Sequence, residues 1–166
     1  CTGIQGAGAD VLDVGLVDTP FVTFAINHLD AIGGVQVTAS HNPAQYNGFK
    51  ISRAHGRPVG IGLGLEVIRD MVEGDATAAS GGSGGVEAVD LWDAYRAHVH
   101  TYLVGAVADG SRTLRIAVDA SNGMAGTMVP RVFDGVAGLD IVAINFENSS
   151  GIFVHDPNPL VAANLA

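Results

Sequence analysis

Ser40, His41 and Asn42 place a hydroxyl, an imidazole and an amide in three consecutive positions, directly after an apolar run. A corner between a strand and a loop can present such side chains from rigid support while the backbone stays exposed. The Ser40 hydroxyl then has two chemical uses. A nearby base can activate it as a nucleophile, or it can carry a phosphoryl group, whose charge of about −1.5 to −2 requires cations or a metal around it.

Lys50 follows on the far side of the same loop, after Asn47 and Gly48, where we expect the chain to return to the same edge of the sheet. A lysine ammonium can neutralise phosphate. When it is desolvated beside other cations its pKa falls toward neutrality, and it becomes a usable acid or base. Gly48 would let the backbone pass close to a ligand.

The same residues also make a good turn. Asn and Ser side chains bond their own backbone, and Pro43 fixes its φ angle. Residue types alone therefore leave two interpretations open at this point, a structural turn and a catalytic loop.

Apolar patterns place this loop between two strands of a first module. They predict strands at Val11–Val14, Gly33–Thr38 and Phe49–Ser52, a turn at His55–Pro58, and helices at Phe21–Leu29 and Leu63–Val72. Thr19 is the expected N-cap of the first helix, with Pro20 at its first position. Cys1 is not a methionine, and the sequence opens in what is typical of a helix-to-strand unit, so we expect further residues to precede it.

A second module is predicted after a connector. The segment Gly74–Gly85 loses periodicity and ends in Ser and Gly, the composition of a flexible linker. Beyond it the patterns predict a helix with Leu91, Tyr95 and Tyr102 in its core-facing stripe. They also predict strands at Leu114–Asp119 and Leu139–Phe146, and a helix at Met124–Phe133. These groups indicate an α/β protein of two three-layer modules with mixed sheets, residues 1–85 and an incomplete 86–166.

Composition excludes several classes of protein. The 17 acidic residues outnumber the 8 basic ones, so the net charge of −9 argues against a nucleic-acid-binding surface, and an anionic substrate would need local help. The single cysteine, Cys1, cannot form an internal disulfide. No apolar stretch approaches the roughly 20 residues of a membrane-spanning helix. We therefore expect a cytoplasmic protein with no membrane partner; the oligomeric state is not predicted.

Three further polar groups are interpreted as structural. Ser121–Gly126 precedes a helix and could cradle an anion, but it fits a simple strand-to-helix turn. His155 and Asp156 resemble a metal pair, yet they begin a turn-forming segment rich in Pro and Asn. His98 and His100 lie two apart on a predicted helix, so they do not share a face, and we expect both at the surface.

The combined loop pattern resembles the phosphoserine loop of the alpha-D-phosphohexomutases, the phosphomannomutase and phosphoglucomutase kind. The specific part is Thr38–Pro43 followed by Tyr46–Ile51. The likeness extends upstream to Asp13–Pro20 and downstream to Val118–Gly123 and Gly151–Pro159. Nearly the whole chain is covered, as part of the family's first domain and part of its second.

The resemblance implies roles for five residues. Ser40 would be the phosphorylated serine, and one of its phosphoryl oxygens would help to bind Mg²⁺. His41 would act with it in catalysis, Asn42 and Asn47 would bind substrate in the same pocket, and Lys50 would transfer protons.

Two details refine the likeness to the family. The family usually has proline where this chain has Asp18. The pair Thr38 and Ala39 looks more like the mannose and glucose mutases than the glucosamine mutases.

The implied activity is interconversion of hexose 1-phosphate and hexose 6-phosphate, with hexose 1,6-bisphosphate as intermediate and activator. The family's aspartate-rich metal loop, sugar-recognition loop and phosphate-binding final domain are absent from the printed sequence, so we expect this chain alone to be inactive. A non-catalytic sugar-phosphate-binding module, or a degenerate fragment, is the alternative. A serine hydrolase is a distant third, because the residues around Ser40 do not form a Gly-x-Ser-x-Gly elbow.

Overall fold

The predicted helices and strands occur in the predicted order along the chain, together with short strands that were not predicted. The computed structural model describes residues 1–43, 45–74, 82–103, 107 and 113–154. Its helices are α1 (Thr2–Gly6), α2 (Thr19–His28), α3 (Leu65–Glu73), α4 (Trp92–His100) and α5 (Ala125–Phe133). Its strands are β1 (Val11–Asp13), β2 (Gly33–Val37), β3 (Phe49–Arg53), β4 (Arg57–Pro58), β5 (Val86–Ala88), β6 (Leu114–Asp119) and β7 (Leu139–Ile144), with a short 3₁₀ turn at Ala54–Gly56.

Strand pairing is mixed. In the described part of the chain, β1 pairs with β5 and β6 with β7, both in parallel, while β2, β3 and β4 form a sheet in that order with β3 and β4 antiparallel. This confirms the predicted α/β class. Strand β5 was not predicted, because three residues beside a glycine-rich segment are too few to show a period.

The described residues pack as two units, one of residues 1–16, 22–35 and 50–91, the other of residues 17–21, 36–49 and the described part of 92–166. The domain division at residues 85 and 86 stays a prediction. Residues 75–81 of the predicted connector lie outside the described residues.

In the first unit, helix α2 lies very close to strand β2. Ala25 and Ile26 of the helix are buried, at 5% and 3% exposure. A Cβ atom on Gly34 would stand 2.7 Å from Ile26 Cδ1, so only glycine permits this approach without a shift. The close packing supports the strand that leads toward Ser40.

The N-cap prediction for α2 was off by one residue. Helix α2 begins at Thr19, and the Phe21 backbone N–H donates to Asp18 Oδ1 at 3.0 Å, which is N-cap geometry. Asp18 is therefore the cap and Pro20 the second helical residue rather than the first. Partial burial raises the pKa of the Asp18 carboxyl above its ordinary value, and the hydrogen bond from Phe21 opposes that shift only in part.

The second unit contains an aromatic core. Phe21 is fully buried, with its ring centroid 4.6 Å from that of Tyr95 and 5.0 Å from that of Trp92. The Arg131 guanidinium lies 4.5 Å above the Trp92 ring, a cation–π contact between α5 and α4. These contacts fix the start of α2 against α4.

The predicted stripe on α4 is confirmed in part. Leu91 and Tyr95 are buried, but Tyr102 follows the end of the helix and is 73% exposed. His98 is exposed as predicted, whereas His100 is half-buried, with Nε2 2.6 Å from the Val132 carbonyl oxygen. The surface assignment of His100 was therefore wrong. Its ring contacts a carbonyl in the last turn of α5, where helical carbonyls lack intrahelical partners.

Candidate active site at the Ser40 loop

Residues 38–48, here called the Ser40 loop, connect β2 to β3; Ala44 lies outside the described residues. The loop is closed at its base by the Thr38 backbone N–H, which donates to the Gly48 carbonyl at 2.9 Å. The chain thus leaves and re-enters the sheet edge at one point, and the residues between are displayed beyond it.

Ser40 has left-handed backbone geometry, with φ of 56°. This region is uncommon for a residue with a Cβ and costs energy unless neighbours hold it. The Ser40 backbone N–H donates to Thr38 Oγ1 at 2.9 Å, a hydrogen bond that stabilises this geometry. The serine is exposed, so its hydroxyl is accessible to a ligand.

The His41 ring lies against the Ser40 hydroxyl. Ser40 Oγ is 3.2 Å from Nδ1 and 3.4 Å from Nε2, which makes Nδ1 the better partner. In the tautomer with an unprotonated Nδ1, the imidazole accepts the serine O–H, the arrangement of a nucleophile beside a general base. The structure therefore brings together two of the three residues predicted to be catalytic.

The two asparagines predicted to bind substrate bond to their own backbone. Asn42 Nδ2 donates to the Ala39 carbonyl at 2.9 Å, and Asn47 Oδ1 accepts from the Gly48 backbone N–H at 2.9 Å. These bonds are the turn chemistry expected from the residue types. Both side chains are exposed, and their substrate-binding role stays a prediction.

Lys50 lies on β3, two residues beyond Gly48, and its side chain is exposed. It belongs to the first packing unit, whereas Ser40, His41, Asn42 and Asn47 belong to the second. Its role in proton transfer stays a prediction.

Gln36 is a support of the loop that sequence reasoning missed. Its Nε2 donates to the carbonyls of Val17 at 3.3 Å and Val37 at 3.4 Å, which joins the end of β2 to the segment before α2. Its Oε1 is buried and has no hydrogen-bond partner among the described residues. The available signal was a polar residue between two valines in a predicted strand.

The local charge also went unnoticed in the sequence. No Asp or Glu occurs from Ala31 to Leu65, and this stretch carries Lys50, Arg53 and Arg57. The net charge of −9 therefore divides into +3 for this stretch and −12 for the rest of the chain. An acid-free segment around the Ser40 loop reduces the repulsion that an acidic protein would exert on a phosphate ester.

A second loop, which the sequence analysis interprets as structural, is held by asparagine side chains. The Asn122 loop is defined as residues 119–123, which begin at the last residue of β6. Asn122 Nδ2 donates to the Glu147 carbonyl at 2.6 Å, and Asn122 Oδ1 accepts from the Val154 N–H at 2.9 Å. Asn148 Nδ2 donates to the Gly123 carbonyl at 3.0 Å and to Thr127 Oγ1 at 2.9 Å. These polar groups are used within the protein, in agreement with the structural interpretation.

Nothing in the described residues adds a metal centre. No group of three or more His, Cys, Asp or Glu side chains that could hold a metal ion occurs there. His155 and Asp156 lie outside the described residues, so the structure does not test their assignment.

Comparison with known proteins identifies the family. Residues 1–76 match the family model described as phosphoglucomutase/phosphomannomutase, alpha/beta/alpha domain I. A phosphohexose mutase of Xanthomonas campestris is 36% identical over 163 residues, which are 98% of this chain and 35% of that protein. The chain belongs to the alpha-D-phosphohexomutase family. The predicted resemblance is thus confirmed.

Further phosphohexomutases extend the match. A phosphomannomutase of Salmonella typhimurium is 36% identical over 166 residues, covering 96% of this chain and 36% of that protein. The crystal structure of a phosphoglucomutase/phosphomannomutase family protein from Burkholderia thailandensis superposes with a TM-score of 0.73 at 32% identity, covering 98% of this chain and 35% of that one.

The chain spans about a third of the length of the curated phosphohexomutases that it matches. The family match includes the whole Ser40 loop. Among the described residues, no helix is long and apolar enough to cross a membrane.

Proposed function

We propose that this chain is the phosphoserine-bearing part of an enzyme that interconverts hexose 1-phosphate and hexose 6-phosphate. Ser40 carries the travelling phosphoryl group, and a bisphosphorylated hexose is the intermediate. The proposal rests on the family membership and on one feature of the site, an exposed serine hydroxyl in left-handed backbone with an imidazole nitrogen 3.2 Å away.

The transfer consists of two displacements at phosphorus. In the first, the Oγ–P bond of phosphoserine breaks as the free hydroxyl of the hexose phosphate bonds to phosphorus. The hydroxyl proton passes to a base, a role that we assign to Lys50, and the departing Ser40 Oγ takes a proton from the His41 ring. The bisphosphate then turns around. In the second, Ser40 Oγ attacks the other phosphoryl group and returns its proton to the His41 ring that it contacts, while Lys50 returns its proton to the departing hexose oxygen.

Most of the barrier reduction in phosphoryl transfer comes from positioning and from charge stabilisation around the phosphoryl oxygens. A closed loop base and a held left-handed serine supply the positioning. We assign part of the positive charge to Lys50, which lies in the acid-free stretch from Ala31 to Leu65.

Mg²⁺ needs a near-octahedral shell of oxygen ligands. The described residues offer no cluster of carboxylates that fits this requirement, so they do not form a magnesium site by themselves. We propose that the phosphoryl group on Ser40 contributes one ligand and that most others lie outside this chain. It follows that residues 1–166 alone should lack turnover, and for them a non-catalytic role in sugar-phosphate binding is the second candidate.

Phosphate mapping tests the assignment. The full-length gene product that contains this sequence is incubated with glucose 1,6-bisphosphate or mannose 1,6-bisphosphate, digested and mapped by mass spectrometry. We expect a phosphate on the peptide that contains Ser40 and its loss when excess hexose monophosphate is added. A phosphate on another residue would refute the assignment, and binding without any phosphorylation would favour the second candidate.

A further inference from the structure

Two asparagines in this chain precede glycine, Asn47 in the Ser40 loop and Asn122 in the Asn122 loop. Asn-Gly is the sequence most open to deamidation, because the nitrogen of the following residue must attack the asparagine side-chain carbonyl carbon and glycine has no Cβ to block it. The reaction also requires a side chain free to rotate and a backbone nitrogen free to move. The two sites differ in both respects.

At Asn47 the nucleophile and the electrophile are already together. The Gly48 backbone nitrogen lies 2.9 Å from Asn47 Oδ1. This oxygen is bonded to Asn47 Cγ, the carbon that the nitrogen would attack. Asn47 is exposed, so water reaches the site, and its bond to Gly48 is local. Bringing the two reacting groups together in advance removes part of the entropic barrier to a reaction.

At Asn122 both partners are held apart. Its side-chain nitrogen and oxygen are bonded to Glu147 and Val154, far along the chain. The Gly123 backbone N–H, which would be the nucleophile, donates instead to the Ala120 carbonyl at 2.7 Å. Attack there requires these hydrogen bonds to break first.

We propose that Asn47 is a site of spontaneous deamidation within the candidate active site, and that Asn122 is protected from it. The Gly48 nitrogen bonds to Asn47 Cγ, the side-chain nitrogen leaves as ammonia, and a succinimide forms. Water then opens the ring at either carbonyl. The product is aspartate, or isoaspartate in which the main chain runs through the former side chain; no oxidant or cofactor is consumed.

The consequence for activity rests on the proposed function. Either product puts a carboxylate into the acid-free stretch from Ala31 to Leu65, within the loop that would hold phosphoserine. A new negative charge repels a phosphoryl group, and isoaspartate also lengthens the main chain inside the closed loop. The modification therefore disables the loop with age.

The test compares the two asparagines within one sample. The full-length protein is held at mildly alkaline pH, and aliquots are peptide-mapped for conversion of Asn to Asp or isoAsp. We expect Asn47 to convert at least about tenfold faster than Asn122, since freeing Asn122 requires two hydrogen bonds to break. Equal rates, or faster conversion of Asn122, would overturn the proposal.

Gly48→Ala is the matched variant. A Cβ at this position would lie 3.4 Å from the Thr38 carbonyl oxygen, an ordinary contact, and Gly48 does not have left-handed geometry. The methyl group should slow conversion of Asn47 several-fold while Asn122 keeps its rate. Unchanged conversion of Asn47 in this variant would count against attack by the Gly48 nitrogen.

The rates of asparagine conversion are measured by mass spectrometry, so they do not depend on whether the proposed function is correct. If Asn47 converts first but phosphorylation of Ser40 does not decline with it, the modification site holds and its effect on the phosphoserine loop is refuted. If no phosphorylation is ever seen, the proposed function fails while the modification site is still judged by its rate.

Discussion

The Ser40 loop and the Asn122 loop are similar in position and sequence but differ in their hydrogen bonds. Each begins where a strand ends, and each contains a serine in left-handed backbone, Ser40 with φ of 56° and Ser121 with φ of 47°. Each also contains an Asn-Gly pair. In the Ser40 loop the asparagine side chains bond to near neighbours in the sequence, whereas the Asn122 loop is tied to residues 145–154 by asparagine side chains.

The polar side chains of the Ser40 loop remain accessible to a ligand, whereas those of the Asn122 loop are bonded to other segments of the protein. Polar side chains bonded to distant backbone are less available to a ligand, since the ligand must first replace bonds that also hold separate segments together. Polar side chains bonded only to their neighbours can exchange those bonds for a ligand. On this criterion the Ser40 loop is the functional one, although the two sequences have similar turn-forming composition.

Adding a single methyl group should affect stability very differently in the Ser40 loop and in the helix that follows the Asn122 loop. A Cβ on Gly126, at the start of α5, would collide with the Phe146 backbone carbonyl. We expect Gly126→Ala to lower the free energy of unfolding by about 3 kcal/mol, the upper end of the range for overpacking. Gly48→Ala should change it by less than about 1 kcal/mol, with a slight gain possible because Ala restricts the unfolded chain. Urea denaturation of both variants measures this, and equal losses would contradict the contrast.

Removing one asparagine side chain from the Ser40 loop, and one that holds the Asn122 loop from outside it, gives a smaller effect. Asn148→Ala breaks the bonds to Gly123 and Thr127 in a partly buried place, so we expect a loss of about 2 kcal/mol in the free energy of unfolding. Asn42→Ala removes an exposed bond to Ala39 and should cost about 0.5 kcal/mol or less. If the Asn42 variant proved the less stable, the Ser40 loop would be the more tightly held.

The smallest expected effect is on the pH dependence of stability. Burial raises the pKa of Asp18 above 3.8, so its contribution to stability is complete below that value and is lost as pH rises through the raised pKa. Hydrogen bonds, first from the Ser149 hydroxyl and then from its backbone N–H, lower the pKa of Glu147 below 4.5. The Glu147 contribution is present above 4.5 and is lost as pH falls through the lowered pKa.

Amide variants isolate these two opposite slopes. Asp18→Asn keeps an oxygen to cap α2 and should remove the decline in stability with rising pH, while Glu147→Gln should remove the gain. Thermal melts at a series of pH values between about 3 and 7 measure both slopes, because this range includes the ordinary pKa values of carboxyl groups. Shifts of the same sign in the two variants would refute the assigned pKa directions.

Much of the fold could be predicted from sequence because its elements have strong periods. Strand Leu114–Asp119 was predicted with its observed bounds, and helix Met124–Phe133 is within one residue of α5. Errors occurred where a choice depended on tertiary contacts. Asp18 rather than Thr19 caps α2, and His100 contacts the end of a helix that local periodicity cannot place beside it.

The candidate site was predictable in its residues and not in its geometry. The motif around Ser40 consists of consecutive residues, so the sequence alone indicated it. The left-handed turn at Ser40, the His41 contact and the support from Gln36 depend on how the chain returns to the sheet edge. No local pattern encodes that return.

One substitution tests the central claim most directly, Ser40→Ala in the full-length protein, with Ser121→Ala as its control. Both serines are left-handed residues after a strand, but only Ser40 is proposed to carry phosphate. We expect the Ser40 variant to lose mutase turnover by several orders of magnitude and the Ser121 variant to keep it. Turnover by the Ser40 variant at the level of the unmodified protein would contradict the account.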